Sequence, residues 1–140
     1  IIESCQAVKV VTRFPIILKL SVIHDIERIV PMVKGITEAF SINSVPWRTV
    51  LQNPQSPLEH LGGGGVSGKI IQPFTWGFMR RLAEDFQVPV IAPSIWEYED
   101  IGKVRVLGAK AISFGSIFLR YPWRPTLFVR RDMKEKEKKI

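Results

Sequence analysis

Cysteine is almost missing from the chain: Cys5 is the only one in 140 residues. A lone thiol cannot close an intrachain disulfide. A stapled secreted fold is therefore excluded, and a reducing, cytoplasmic setting is expected. Histidine is nearly as scarce. His24 and His60 have neither a cysteine nor a second histidine at ligand spacing, so no metal site is expected. Long apolar runs are missing too. Spanning a bilayer takes about 20 apolar residues, whereas Ile16-Ile17-Leu18 stops at Lys19, so no membrane span is expected. Basic and aromatic residues are not interleaved, and no nucleic-acid partner is expected. An initiator methionine and a signal-peptide pattern are absent. The chain opens on Ile1-Ile2-Glu3 in a helical pattern, as expected of a piece of a longer protein.

What is present is globular. Hydrophobic residues make up 46% and charged residues 24%, enough apolar material for one domain with a real core. The net charge is +7, which is compatible with a phosphate-bearing ligand. Much of that charge lies in the mixed-sign tail from Arg130 to Lys139, which reads as a solvated helix end.

The order of elements is βα-alternating. Residues 1–12 read as the end of a helix. Pro15 opens a short strand, Ile16 to Leu20, whose apolar run suggests burial on both faces. A helix follows over 25–34, with Ile26, Ile29, Val30 and Val33 on one side and Gly35 at the position of a helix-closing glycine. Strands are predicted at 39–43, 88–92 and 111–114, and helices at 75–86, 97–107 and from about 125 onward. Gly108 closes the second of these. Residues 44–67 read as a long loop with Pro46, Pro54, Pro57 and four consecutive glycines. Alternating strands and helices imply a parallel sheet. Four such units make half of a (β/α)8 barrel, since a whole barrel takes about 250 residues. An open four-stranded α/β sandwich has the same periodicity. The expected division is a half-barrel over 1–125 and a charged helix or tail over 126–140.

Polar residues gather at the strand ends, where barrels of this kind place their chemistry. Lys19 ends the first strand, Asn43 and Ser44 the second, Pro93 and Ser94 the third, Gly115 and Ser116 the fourth. Burying a lysine unpaired is costly. The plain alternative for Lys19 is an edge-strand side chain reaching solvent, and for Asn43 a turn residue. Gly62 to Gly65, then Gly68, precede a helix and could expose N–H groups to a phosphate. Gly63, Gly68 and Lys69 match a P-loop, but Ile70 stands where Ser or Thr must hold magnesium, so that reading fails.

Phe14-Pro15-Ile16-Ile17-Leu18-Lys19-Leu20-Ser21, Ile42-Asn43-Ser44, Gly64-Gly65-Val66-Ser67-Gly68, Pro89 to Ile95, Gly108-Ala109 and Phe114-Gly115-Ser116 together resemble strands five to eight of the dihydroorotate dehydrogenase family. These are (β/α)8 barrels that bind flavin mononucleotide (FMN). The resemblance implies that Lys19 contacts the pyrimidine edge of the flavin and stabilises its reduced form, and that Ile42 lies against the ring. Gly65 and Gly68 would belong to the cofactor site, Gly68 letting the backbone approach. Ser94, Gly115 and Ser116 would meet the phosphate. Asn43 and Ser44 would bind dihydroorotate or a similar pyrimidine. The family's function in pyrimidine biosynthesis would follow.

Two departures qualify what the resemblance implies. Pro93-Ser94 replaces a glycine pair. Proline has no N–H and a non-glycine limits close approach, so a weaker phosphate contact is expected. The family's catalytic base has no counterpart, and Cys5 lies on the wrong side of the sheet for it. The chain alone is thus expected to be inactive, with activity depending on an N-terminal half or a second copy. The alternatives are a non-catalytic half-barrel that binds a ligand or partner, and another FMN barrel such as a tRNA-dihydrouridine synthase.

Overall fold

A computed structural model describes residues 1–51 and 55–138. Pro54 of the predicted loop and Lys139 of the predicted tail lie outside the described residues. In chain order the elements are α1 (Ile2–Val11), β1 (Ile17–Leu20), α2 (Ile26–Val33), β2 (Ala39–Ile42), β3 (Val45–Pro46), α3 (Trp47–Val50), β4 (Gly65–Val66), α4 (Gln72–Glu84), β5 (Val90–Ala92), α5 (Tyr98–Val106), β6 (Ala111–Ile112), α6 (Ile117–Arg120) and α7 (Arg124–Glu137). The four strands expected from the sequence are all found and form one parallel sheet in the order β1-β2-β5-β6.

The predicted loop over 44–67 is partly structured. β3 and β4 pair antiparallel within it, Val45 opposite Val66, and a 3-10 turn covers Glu59–Leu61. Two-residue strands carry no periodic signal, so no sequence pattern could announce them. α4 begins at Gln72 rather than near Thr75, with Pro73 in its first turn, where a missing N–H costs nothing.

α2 shows how locally the helices are specified. Asp25 caps it, its Oδ1 accepting the Arg28 N–H at 3.2 Å, and Ile26, Val30 and Val33 are buried along one side. The expected glycine cap at Gly35 is not used, because α2 ends on Lys34 in a right-handed conformation. The Val33 carbonyl instead accepts the N–H groups of Ile36 and Thr37, at 2.8 and 2.9 Å, and the Thr37 hydroxyl at 3.0 Å. Those bonds close the turn without a left-handed residue. Gly108 does take the left-handed conformation, at φ +95°. A Cβ there would lie 2.6 Å from the Ala83 Cβ, so this glycine also lets α5 close onto α4.

The two faces of the sheet differ, and the difference decides the architecture. Leu20, Phe40, Ile42, Val90 and Ala92 point to one face and are buried with Cys5 of α1, Val30 of α2, Met79 of α4 and Ile101 of α5. The opposite face carries Ile17, Lys19, Ser41, Ile91 and Ala111, aligned by the register Lys19–Ser41–Ile91–Ala111. These residues are exposed or half-exposed. The expectation that the first strand is buried on both faces is therefore corrected. β1 is an edge strand with Ile17 54% exposed and Leu20 fully buried. A sandwich would cover both faces. Helices packed on one face of a four-stranded parallel sheet make half of a (β/α)8 barrel, its interior side open.

Candidate functional site

The open side of the sheet leads, at the strand C-termini, into a cavity of about 320 Å³. Its lining comes from the ends of all four parallel strands and from the segment before α4. Seven of the nine residues expected at a site meet there: Lys19, Ile42, Asn43, Ser44, Ser94, Gly115 and Ser116. Ser41, Ser67 and Ser113 join them. The lining carries one lysine, several hydroxyls and an amide, and no carboxylate. Such a donor set suits an anionic or carbonyl-rich ligand.

Local chemistry places each group. The ladder between β1 and β2 runs one residue past the strands, with the Asn43 N–H donating to the Leu20 carbonyl at 2.7 Å. The Asn43 Oδ1 then accepts the Ser44 N–H at 2.9 Å. Asn43 is thus both a turn residue and part of the lining, its amide NH2 left for another partner. Lys19 sits beside Ser41 in register and forms no ion pair among the described residues.

Gly65 and Gly68 stand behind the lining rather than in it. A Cβ on Gly65 would lie 2.6 Å from the Ser44 Oγ, so the glycine leaves room for that hydroxyl. Gly68, at φ +105°, would bring a Cβ to 3.3 Å from the Trp96 ring. Its bareness seats the indole of Trp96.

The Pro93-Ser94 turn is where the structure adds most. Ser94 adopts φ +63°, the left-handed region that glycine favours and other residues visit at some cost. The conformation of a glycine is thus kept by a serine. Three groups hold it. The Trp76 indole Nε1 donates to the Pro93 carbonyl at 3.1 Å. The Gln72 Nε2 donates to the Ser94 carbonyl at 2.8 Å and to the Asp100 Oδ2 at 2.9 Å. The Ser113 Oγ donates to the Ala92 carbonyl at 3.2 Å.

Asp100, only 1% exposed, anchors the turn from below. Burial pushes its carboxyl up. The N–H groups of Glu97 and Trp96 and the side chains of Gln72 and Lys103 outweigh that and hold it below the usual carboxylate range. The same carboxylate completes a capping box with Glu97 at the start of α5.

Sequence reasoning missed Ser41, Ser67, Ser113, Gln72, Trp76 and Asp100. A signal existed for Ser41, which lies on the Lys19 face by strand alternation. For Gln72, Trp76 and Asp100 there was none, since they act through carbonyls far away along the chain.

No protein-family model matches the chain. Three curated relatives are catalytic subunits of dihydroorotate dehydrogenase B (NAD(+)). That of Methanocaldococcus jannaschii is 31% identical over 118 residues, 81% of this chain and 39% of the relative. That of Enterococcus faecalis is 29% identical over 127 residues, 86% and 40%. That of Saccharolobus solfataricus is 25% identical over 120 residues, 84% and 41%. The chain spans about 40% of the length of these relatives. Among the described residues no helix is long and apolar enough to cross a membrane.

Proposed function

We propose, starting from a chain that resembles the C-terminal half of a dihydroorotate dehydrogenase, that its cavity is the flavin- and pyrimidine-binding half of an oxidoreductase site. The observation that carries this reading is convergence. Lys19, Asn43, Ser44, Ser94, Gly115 and Ser116 come from four strand ends and line one carboxylate-free cavity. The donor set fits FMN, which offers ring carbonyls and a phosphate. At about 320 Å³ the cavity is near the lower end of the ~300–1,000 Å³ of ligand pockets, as one wall of a larger site would be.

FMN, when bound, supplies the hydride acceptor. The chain's own residues bind and orient. Lys19 sets a positive charge where a reduced ring gathers negative charge, which is tuning of a cofactor by the protein. Asn43 and Ser44 offer an amide and a hydroxyl to dihydroorotate or a similar pyrimidine. Ser94, Gly115 and Ser116 offer backbone N–H groups and hydroxyls to a phosphate, as loops after late strands of such barrels often do. Among the described residues the lining holds no histidine, cysteine or carboxylate, and no group in it is paired with a partner that would make it a general base. A missing general base costs ~10²–10⁴-fold. Turnover is assigned to the chain together with its complement, not to the chain alone.

An absorbance titration of the chain with FMN tests this. Saturable binding is expected, and Lys19→Ala is expected to weaken it about tenfold, the worth of one charge-assisted bond. Absence of saturation up to millimolar FMN, or a variant that binds as well as the parent, overturns the reading.

The uncovered face favours a partner. It offers two exposed sheet edges, β1 and β6, and natural proteins cover or pair such edges. The complementary N-terminal half, or a second copy of the chain, would fill it. Sedimentation velocity across ~1–100 μM, a range in which modest interfaces associate, should reveal self-association. A monomer throughout would leave the separate N-terminal half as the one partner to test, by mixing.

A further inference from the structure

The turn at Pro93-Ser94 is gripped from one helix. Gln72 and Trp76 are four residues apart on α4 and so lie one above the other on the same side. They take consecutive carbonyls, Trp76 that of Pro93 at 3.1 Å and Gln72 that of Ser94 at 2.8 Å. A trans peptide points its C=O and the following N–H in opposite directions. With both carbonyls drawn toward α4, the N–H groups of Ser94 and Ile95 are turned away from it. Ser94 and Ile95 both line the cavity. Neither N–H has a hydrogen-bond partner among the described residues, although Ile95 is only 1% exposed. Buried N–H groups without partners are rare in folded proteins. The Ile95 group is one of these and the Ser94 group beside it is half-exposed; two successive free N–H groups at a left-handed turn are the arrangement that can bind an anion.

We infer that Gln72 and Trp76 are positioning residues, which hold the Pro93 and Ser94 carbonyls so that the Ser94 and Ile95 N–H groups face the cavity as a donor pair for a phosphate monoester. Asp100 completes the device. It accepts the second N–H of the Gln72 carboxamide at 2.9 Å and so fixes which way that amide faces. This answers the loss of the glycine pair. Serine keeps the left-handed turn because its carbonyl is held from outside, and proline's missing N–H falls one peptide before the donor pair. The inference rests on the flavin reading above, since FMN carries such a phosphate.

The test compares FMN with riboflavin, the same ring without the phosphate. Gln72→Met keeps length and packing but loses both N–H groups, and Gln72→Lys restores a donor at similar reach. Trp76→Phe keeps a ring and loses the indole N–H. The parent is expected to prefer FMN. Gln72→Met and Trp76→Phe should each lower FMN affinity about tenfold, one hydrogen-bonding pair's worth, and leave riboflavin affinity unchanged. Gln72→Lys should recover the preference. A parallel fall for both flavins, or an unchanged preference, overturns the positioning role. Amide NMR with inorganic phosphate separates this inference from the flavin reading. If the parent binds neither flavin but phosphate moves the Ser94 and Ile95 amide signals, and fails to in Gln72→Met, the flavin reading falls and the clamp stands. If phosphate leaves those signals unmoved in the parent, the clamp falls.

Discussion

Replacing Phe40 with alanine is expected to lower stability by about 3–5 kcal/mol, while Ile17→Ala lowers it by about 1 kcal/mol. Phe40 is fully buried, the largest such side chain among the described residues, and stands mid-sheet between β1 and β5. Its removal takes apolar surface out of the core and leaves a cavity between sheet and helices that close packing cannot fill. Ile17 is 54% exposed on the opposite face, so truncation there removes little burial. Denaturant melts of both variants at low protein concentration measure the contrast. Equal costs would mean that the face carrying Ile17 is covered in solution, and the one-sided architecture would need revision. A cost for Ile17→Ala that grows with protein concentration would show that a second copy does the covering.

Asp100→Ala is expected to cost about 3–4 kcal/mol, because it orphans donors rather than removing bulk. The N–H groups of Trp96 and Glu97, at 3.0 Å each, and the Gln72 Nε2, at 2.9 Å, all end on one carboxylate oxygen. Buried donors without an acceptor bear the full desolvation cost. Asp100→Asn keeps an acceptor oxygen and should cost only about 1 kcal/mol. The two variants also separate in pH. The folded carboxyl is held below its ordinary 3.8. A depressed folded value adds stability that is fully present above the unfolded value and is lost as pH falls through the folded one. The gap between the parent and Asp100→Asn should thus be constant at neutral pH and shrink below about pH 4. A gap that widens in acid would mean the carboxyl is destabilised by folding. Asp132, lowered by its hydrogen bonds from Arg105, stays in both proteins and leaves a residual acid slope in each.

Much of this molecule is legible in one dimension. Strands at 17–20, 39–42, 90–92 and 111–112 fall inside short apolar runs, and α2 and α5 lie between a cap residue and a turn, because these signals are local. The concentration of polar groups at strand ends was also legible: Lys19, Asn43-Ser44, Ser94 and Gly115-Ser116 are each a break in an apolar run. Where the reading departs from the structure, the cause is distance along the chain. Gly35 looks like a cap but is displaced by Thr37, whose hydroxyl and N–H reach the same carbonyl. For Gly65 and Gly68 the fold adds to the reading: a Cβ there would crowd Ser44 and Trp96.

The sequence by itself determined the alternation of strands and helices, the number of parallel strands and which residues end each strand, since each depends on neighbours a few positions apart. Only the tertiary structure decided that one face of the sheet stays open, because periodicity describes a strand's two sides without saying what packs on them. Only it decided that Ser94 behaves as a glycine would. That depends on Gln72, Trp76 and Asp100, whose hydrogen bonds cross from other elements and outweigh the local preference of the serine backbone.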